Sequence, residues 1–575
     1  MAVKNDNFRV VAAIDFGTTY SGYAFSFRED PLQIITKNWS SSISGHISLK
    51  TPTCILLNPE GEFDSFGYEA ERKYASLAKD GEHNAWALFR RFKMILHNEK
   101  TLSPDSTIQD INGNSALAMR IFVMAIRYLK NEVTSVIDFE KCGIDENDIK
   151  YMITVPAIWD NAAKQFMREA AKEAGIASDR VQLALEPEVA SIWCQTSKTP
   201  PGSGTRNMVV DLGGGTADIS IHERLEDGSL KEIHRASGGP WGGMNVDENF
   251  FAFLRDIFGE QALTELKKTE MESYFDIVRS LELKKRSFSG ESNVKWVIEV
   301  PVLLREFCEE TCGQTLQKRI EYLGYKREIM VKPSKLYLNA RIVRQWFDGP
   351  VTKLINHIQM LLSDPAMGNV NTIVLVGGFS ESIYVQKRVK EEIQGVCCIV
   401  PDDGGLAVLK GAVKFGHFPF AVSFRVLRYT YGLGVDKPFD STVHTEESKF
   451  FKSQYNDWVA IDCFKVIASI DDEVRYDKEV EFNLAQGGTQ STSVHIFRST
   501  KKSPVYVTDP GCELLGTIEL NHTIEDDTIQ IICMFGQTEL KVKTRLKKSG
   551  RESTVVLDCL KKEKLKETGR GKHSK

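Results

Sequence analysis

The chain has 575 residues, 42% apolar and 26% charged, with a formal net charge of -5. At about 100–200 residues per domain, this length predicts more than one folding unit, and the balance is globular rather than disordered. The charge is too near neutral for a dedicated nucleic-acid binder, and no apolar run nears the roughly 18 residues of a membrane span. Met1 to Asn7 hold no apolar signal core, so a secretory route is not expected. Eleven scattered cysteines form neither a zinc ribbon nor a CxxC pair. They read as reduced thiols of a cytoplasmic protein, with the nucleus as the alternative address.

From the N-terminus to about residue 420, short apolar runs alternate with helix-period stretches. Val10–Ile14, Tyr151–Val155, Met208–Val210 and Thr372–Val376 read as strands, each halted by Asp, Pro or Gly. Ala116–Val133 and Asn161–Glu173 read as helices between them. That alternation predicts an α/β fold. Beyond Leu427 the period changes to two, in Glu479–Leu484, Ser493–Phe497, Gly516–Leu520 and Leu540–Thr544, which predicts a mainly β unit. We expect an α/β unit over residues 1–420, in halves of about 8–200 and 205–420, with a join near 415–428. A β-sandwich-like unit over 425–560 and a basic, solvated tail over 561–575 complete the expected organisation.

An internal repeat carries most of the information. The strand at Val10 runs into Asp15-Phe16-Gly17-Thr18-Thr19-Tyr20-Ser21-Gly22, and the strand at Met208 runs into Asp211-Leu212-Gly213-Gly214-Gly215-Thr216-Ala217-Asp218. Each copy is a strand, an Asp, a glycine-containing turn, a Thr and a further strand. Glycines let the backbone approach an oxyanion, so that successive N–H groups can line a phosphate. The hydroxyls add donors, and a strand-end Asp beside the phosphates can hold Mg²⁺ through its water. Two such hairpins facing one another would clamp a polyphosphate. No GxxxxGK[ST] and no GxGxxG opening a helix is present, so neither a P-loop nor a Rossmann site is read here.

These turns resemble the phosphate loops of the actin, sugar-kinase and heat-shock 70 kDa superfamily. Thr154-Val155-Pro156-Ala157, Glu186-Pro187, Val374–Ser380 and Pro401-Asp402-Asp403 resemble further motifs of the heat-shock 70 kDa proteins. The wording around Asp15–Phe27, with Phe92-Lys93-Met94 and Trp159, is similar to a divergent branch of that family. The resemblance implies an actin-like ATPase domain with duplicated ribonuclease H-like halves, ATP or ADP as ligand, and Mg²⁺ held through water by Asp15 and Asp211. It implies phosphate contacts from Gly17, Thr18, Thr19 and Tyr20 on one hairpin and Gly213, Gly214, Gly215 and Thr216 on the other. Lys93, Glu186, Asp211 and Thr216 would carry the chemistry, with Lys93 stabilising developing charge and Glu186 positioning water. Glu282 and Lys285 would hold the ribose and Arg286 would stack on the base. Ser289, Gly242, Gly243, Gly377, Gly378 and Asp402 would complete the adenosine side.

Three departures surround that adenosine side: Leu283, Phe379 and Met244-Asn245 stand where the common members carry other residues. Leu514–Leu520 resembles a hairpin of the family's peptide-binding β-sandwich. The usual acidic-apolar linker is replaced by Phe424-Arg425-Val426-Leu427-Arg428, and the 15 residues after Leu560 are too few for the family's helical lid and do not end in an EEVD docking signal. The leading expectation is a slow ATPase whose nucleotide state switches its affinity for protein clients. A nucleotide-binding regulatory scaffold is the alternative, and a carbohydrate kinase of the same superfamily a distant third.

Overall fold

Each copy of the repeat lies at the centre of its own sheet. The computed structural model describes residues 8–40, 47–98, 102–195, 202–453, 456–484, 491–521, 528–547, 550, 552–555, 557 and 559–560. The basic tail expected over 561–575 therefore lies outside the described residues. The expected apolar runs are strands Val10–Phe16, Ile149–Val155, Arg206–Leu212 and Val370–Val376. Their near-continuous apolar sequence follows from pairing in sheets with both faces covered.

The first sheet runs Val181–Leu185, Ile149–Val155, Val10–Phe16, Tyr20–Phe27, Ile35–Thr36 across its width. Val10–Phe16 pairs in parallel with Ile149–Val155 and antiparallel with Tyr20–Phe27. The second sheet repeats the scheme, with Arg206–Leu212 parallel to Val370–Val376 and antiparallel to Ala217–Arg224. The registers match as well: Asp15 lies opposite Gly22, and Asp211 lies opposite Asp218. Both strand-end aspartates thus sit at the same point of a turn.

Helix Asn161–Glu173 begins where Asp160 accepts a hydrogen bond from the Ala163 N–H at 3.0 Å, a local cap for an otherwise unpaired amide. The helix expected from Ala116 begins at Ala118 and runs to Val136, because Ser115–Leu117 is drawn into a two-stranded ribbon with Thr107–Gln109. Between the two sheets, helices Glu186–Cys194 and Ala407–His417 pack on one another within a core that includes Val11, Met152, Val209, Val376 and Phe415. A Cβ on Gly411 would stand 1.8 Å from the Val189 carbonyl oxygen, so only glycine allows this helix contact. Among the described residues no helix is long and apolar enough to cross a membrane, and all eleven cysteines are free.

The second sheet does not stop at the helical part. Val422–Val426 adds to it beside Leu230–Gly239, and Glu473–Arg475 adds beyond Val422–Val426. Past this point a five-stranded sheet faces a four-stranded one around Leu433, Ile496, Ile518, Ile531 and Val542. The β region rests on helix Asn161–Glu173 of the first lobe. Arg168 forks onto the Glu539 carboxylate, the Lys164 ammonium donates to the Thr538 carbonyl at 3.1 Å, and Gln165 accepts from the Cys559 N–H at 2.6 Å.

Arg425 closes the junction. Its guanidinium donates two 2.7 Å hydrogen bonds to Glu188 and another to the Gly536 carbonyl, and both charged groups are buried. A buried ion pair is justified by geometry of this kind, and removing one partner costs about 3–5 kcal/mol because the other charge is left uncompensated. Arg425→Leu should therefore lower unfolding stability by that amount in denaturant titrations. Arg425→Leu combined with Glu188→Leu should recover most of the loss. An unchanged single variant would show that the pair is not formed in solution.

Candidate nucleotide site

The two repeat turns open into a cavity of about 900 Å³ between the lobes. Every expected site residue lines it except Gly242 and Ser289. Gly242 stands behind the second turn, where a Cβ would come within 2.4 Å of the Gly214 carbonyl oxygen. Ser289 is carried away because helix Met271–Ser287 ends just before it and Phe288 turns into the core against Trp296 and Phe347. Its hydroxyl accepts a 3.4 Å hydrogen bond from the Glu291 N–H.

Both turns are pinned by their carbonyls. In the first, Thr53 takes both neighbours of the turn: its hydroxyl donates to the Gly17 carbonyl at 2.7 Å and its N–H to the Thr19 carbonyl at 2.8 Å. In the second, the carbonyls of Gly213, Gly214 and Gly215 accept from the N–H groups of Gly243, Met244 and Gly242 at 2.8–3.2 Å. Helix Met244–Phe258 therefore starts directly on the glycine turn. The turns touch one another: a Cβ on Gly214 would lie 2.4 Å from the Thr19 hydroxyl oxygen.

Four buried carboxylates, Asp15, Glu186, Asp211 and Asp218, crowd the phosphate end. Burial raises Asp211 well above its ordinary value, and Glu186, Asp218 and Asp15 push it further the same way. Burial lifts Glu186 to about 7 against the opposing pull of Lys93, whose ammonium donates to it at 2.9 Å. Burial also raises Asp218, although it accepts hydrogen bonds from the Ile158 N–H at 3.1 Å and from the Thr216 hydroxyl. Asp15 differs. Burial would raise it too, but Lys50 at 2.6 Å and a 2.7 Å hydrogen bond from the Thr154 hydroxyl bring it below its ordinary value.

Three carboxylates driven toward protonation mark a site short of positive charge, as a divalent cation would supply. Among the described residues no three His, Cys, Asp or Glu side chains converge as direct metal ligands. Mg²⁺ would then take oxygens from phosphate and water, with Asp15 and Asp211 receiving the water protons.

At the far end, Lys285 is buried between Asp247 at 2.6 Å and Glu282 at 2.8 Å. Arg91, in a left-handed conformation with φ 56°, reaches from the other lobe to Asp247 at 2.7 Å. Arg286 pairs with Glu381 at 3.0 Å on the wall of the cavity. Of the three departures, Phe379 is buried and stacks on Phe347, Met244 lines the cavity, and Leu283 is exposed. Sequence reasoning missed Lys50, Arg91, Asp247 and Glu381. None lies in a glycine turn, and each gains its meaning from a partner distant in the chain.

Duplicated α/β lobes around a cleft with two facing phosphate-type turns define an actin-like ATPase fold. A family model described as Hsp70 protein matches residues 11–412. Heat shock 70 kDa protein 12B of Homo sapiens is 30% identical over 97% of this chain and 92% of its own length. Heat shock 70 kDa protein 12A is 32% identical in Mus musculus and 31% in Homo sapiens, each over 94% of this chain and 90% of the relative. The chain belongs to the Hsp70 family, whose domains bind ATP or ADP, generally with Mg²⁺.

The close contact of the two turns yields a direct check. Gly214→Ala places a methyl group into the Thr19 side chain and should separate the turns by a few tenths of an ångström. ATP affinity, measured by isothermal titration, should fall by about tenfold or more, with the thermal midpoint nearly kept, since the changed contact is local. Unaltered affinity would mean that the turns do not hold the phosphates together.

Proposed function

We propose that this chain is a slow ATPase of the Hsp70 type whose nucleotide state alters the hold of its β region on a protein client, acting in the cytoplasm. The observation that carries this reading is helix Glu186–Cys194. Glu186 at its start faces the nucleotide cavity and bonds Lys93, while Glu188, two residues on, holds the junction residue Arg425. A shift of Glu186 on hydrolysis would be felt at Glu188 within a single helical turn, because the helix is rigid on that scale. Arg425 also holds the Gly536 carbonyl of the β region.

In this reading the phosphates lie between Gly17–Tyr20 and Gly213–Thr216, and the Lys93 ammonium offsets charge developing on the transferred phosphoryl group. Glu186, held near neutrality, orients the attacking water and can accept its proton. When bound, Mg²⁺ screens the phosphate charge and polarises the reacting phosphoryl oxygen. Glu282 and Lys285 hold the ribose hydroxyls, and Arg286 faces the base. The buried Arg425–Glu188 pair favours a second reading, a nucleotide-regulated scaffold in which the β region stays on the first lobe throughout.

Turnover of ATP measured with and without a reduced, unfolded polypeptide separates the two. The client reading expects stimulation by several-fold. It also expects Lys93→Ala to keep ATP affinity within several-fold while single-turnover hydrolysis slows by orders of magnitude, since the cation acts mainly in the transition state. Turnover that ignores the polypeptide, with no binding of it, would leave the scaffold reading. No ATP binding at all would refute both.

A further inference from the structure

Lys50 is a second cation in the phosphate end of the cleft, and neither turn of the repeat contains it. It precedes Thr51–Pro52, which pairs with Ser21 and Tyr20 and so fixes the lysine beside the first turn. Its stem lies along Gly22, where an added Cβ would come within 3.1 Å of Lys50 Cγ. The side chain is 19% exposed and its ammonium stands 2.6 Å from Asp15 Oδ2. The other oxygen, Oδ1, accepts from the Thr154 hydroxyl at 2.7 Å. Both acceptor atoms of a strand-end aspartate are thereby engaged, one by a fixed neutral hydroxyl and one by a mobile charge.

The Lys50 ammonium and a water on Mg²⁺ would meet at the same carboxylate. A water that donates to Asp15 would share Oδ2 with Lys50 or take the remaining lone pair of Oδ1. A lysine can change partner without backbone movement, because its ammonium is a point charge on a flexible four-carbon stem with three rotatable donors, provided a second anion receives it. The cavity it faces is the one lined by both turns, so phosphates held between them would offer acceptors to a displaced ammonium, beside the carboxylates of Asp211 and Glu186. Lys93, the other ammonium at this end, is held by Glu186 at 2.9 Å.

We propose that Lys50 is a phosphate-binding residue that moves from Asp15 to the nucleotide's phosphates and gives this chain a metal-independent share of its nucleotide affinity. The inference rests on the cleft being a nucleotide site. It adds that the positive charge the phosphates meet is partly built into the chain.

The test uses the full chain and ATP, titrated by calorimetry once with Mg²⁺ and once with EDTA. Wild type should bind in both buffers. Lys50→Gln should raise the ratio of metal-free to Mg²⁺-loaded Kd by about tenfold or more, as expected for loss of one charge-assisted hydrogen bond. Lys50→Arg should keep the wild-type ratio within about threefold, because charge and reach are retained. A second measurement needs no variant: metal-free ATP should protect Lys50 of the wild-type chain from acylation, read by mass spectrometry. An unchanged ratio in Lys50→Gln, or labelling of Lys50 that ATP does not slow, overturns the role of Lys50 while leaving the nucleotide site intact. Absence of ATP binding by wild type in both buffers overturns the site itself and the inference with it.

Discussion

Carboxylates that share a poorly solvated cleft repel one another strongly, and the cost grows as water is excluded. Asp15, Glu186, Asp211 and Asp218 are all buried at the facing ends of two sheets, with Lys50 and Lys93 as the ammonium groups paired to them. The rest of the architecture can be understood as what holds these groups in place. Each sheet ends in an aspartate at an equivalent register, and each turn is fixed through its carbonyls by a neighbour, Thr53 in one case and the start of helix Met244–Phe258 in the other. Without those ties the charges could move apart into solvent. With them, the cleft is prepared for a polyphosphate with its metal ion, which would supply the missing positive charge.

The lobes are joined by a shared core rather than by a flexible connection. Helices Glu186–Cys194 and Ala407–His417 fill the space between the sheets, and the close approach at Gly411 leaves little room for one helix to slide without the other. The same first helix presents Glu186 to the cavity and Glu188 to Arg425. In the proposed mechanism, nucleotide chemistry and the placement of the β region depend on neighbouring residues of one rigid element. This gives the proposed coupling a physical path of two residues, without need of a long chain of contacts.

The parts of this arrangement that were legible in the sequence are the ones with local signals. The strand-end Asp followed by a glycine turn is visible as a repeat, and helix Asn161–Glu173 is marked by its apolar period. The strands of the β region are visible through period-two alternation, as at Glu479–Leu484. What stayed hidden depends on tertiary approach. Val422–Val426 falls in the expected join and Glu473–Arg475 in the expected β unit, yet both extend the second lobe's sheet because backbone pairing carries no sequence label. Lys50 looks like any lysine before a Thr-Pro pair until the sheet places it against Asp15. Ser289 followed from a helix motif, but the motif could not show that Phe288 would turn the chain into the core.

Whether both turns grip one nucleotide at the same time can be read by amide hydrogen exchange on the full chain, followed by mass spectrometry with and without MgATP. A joint grip slows exchange in peptides covering residues 15–22 and 211–218 together, at the same nucleotide concentration. Protection confined to one turn, or absent from both while ATP is bound, would contradict it.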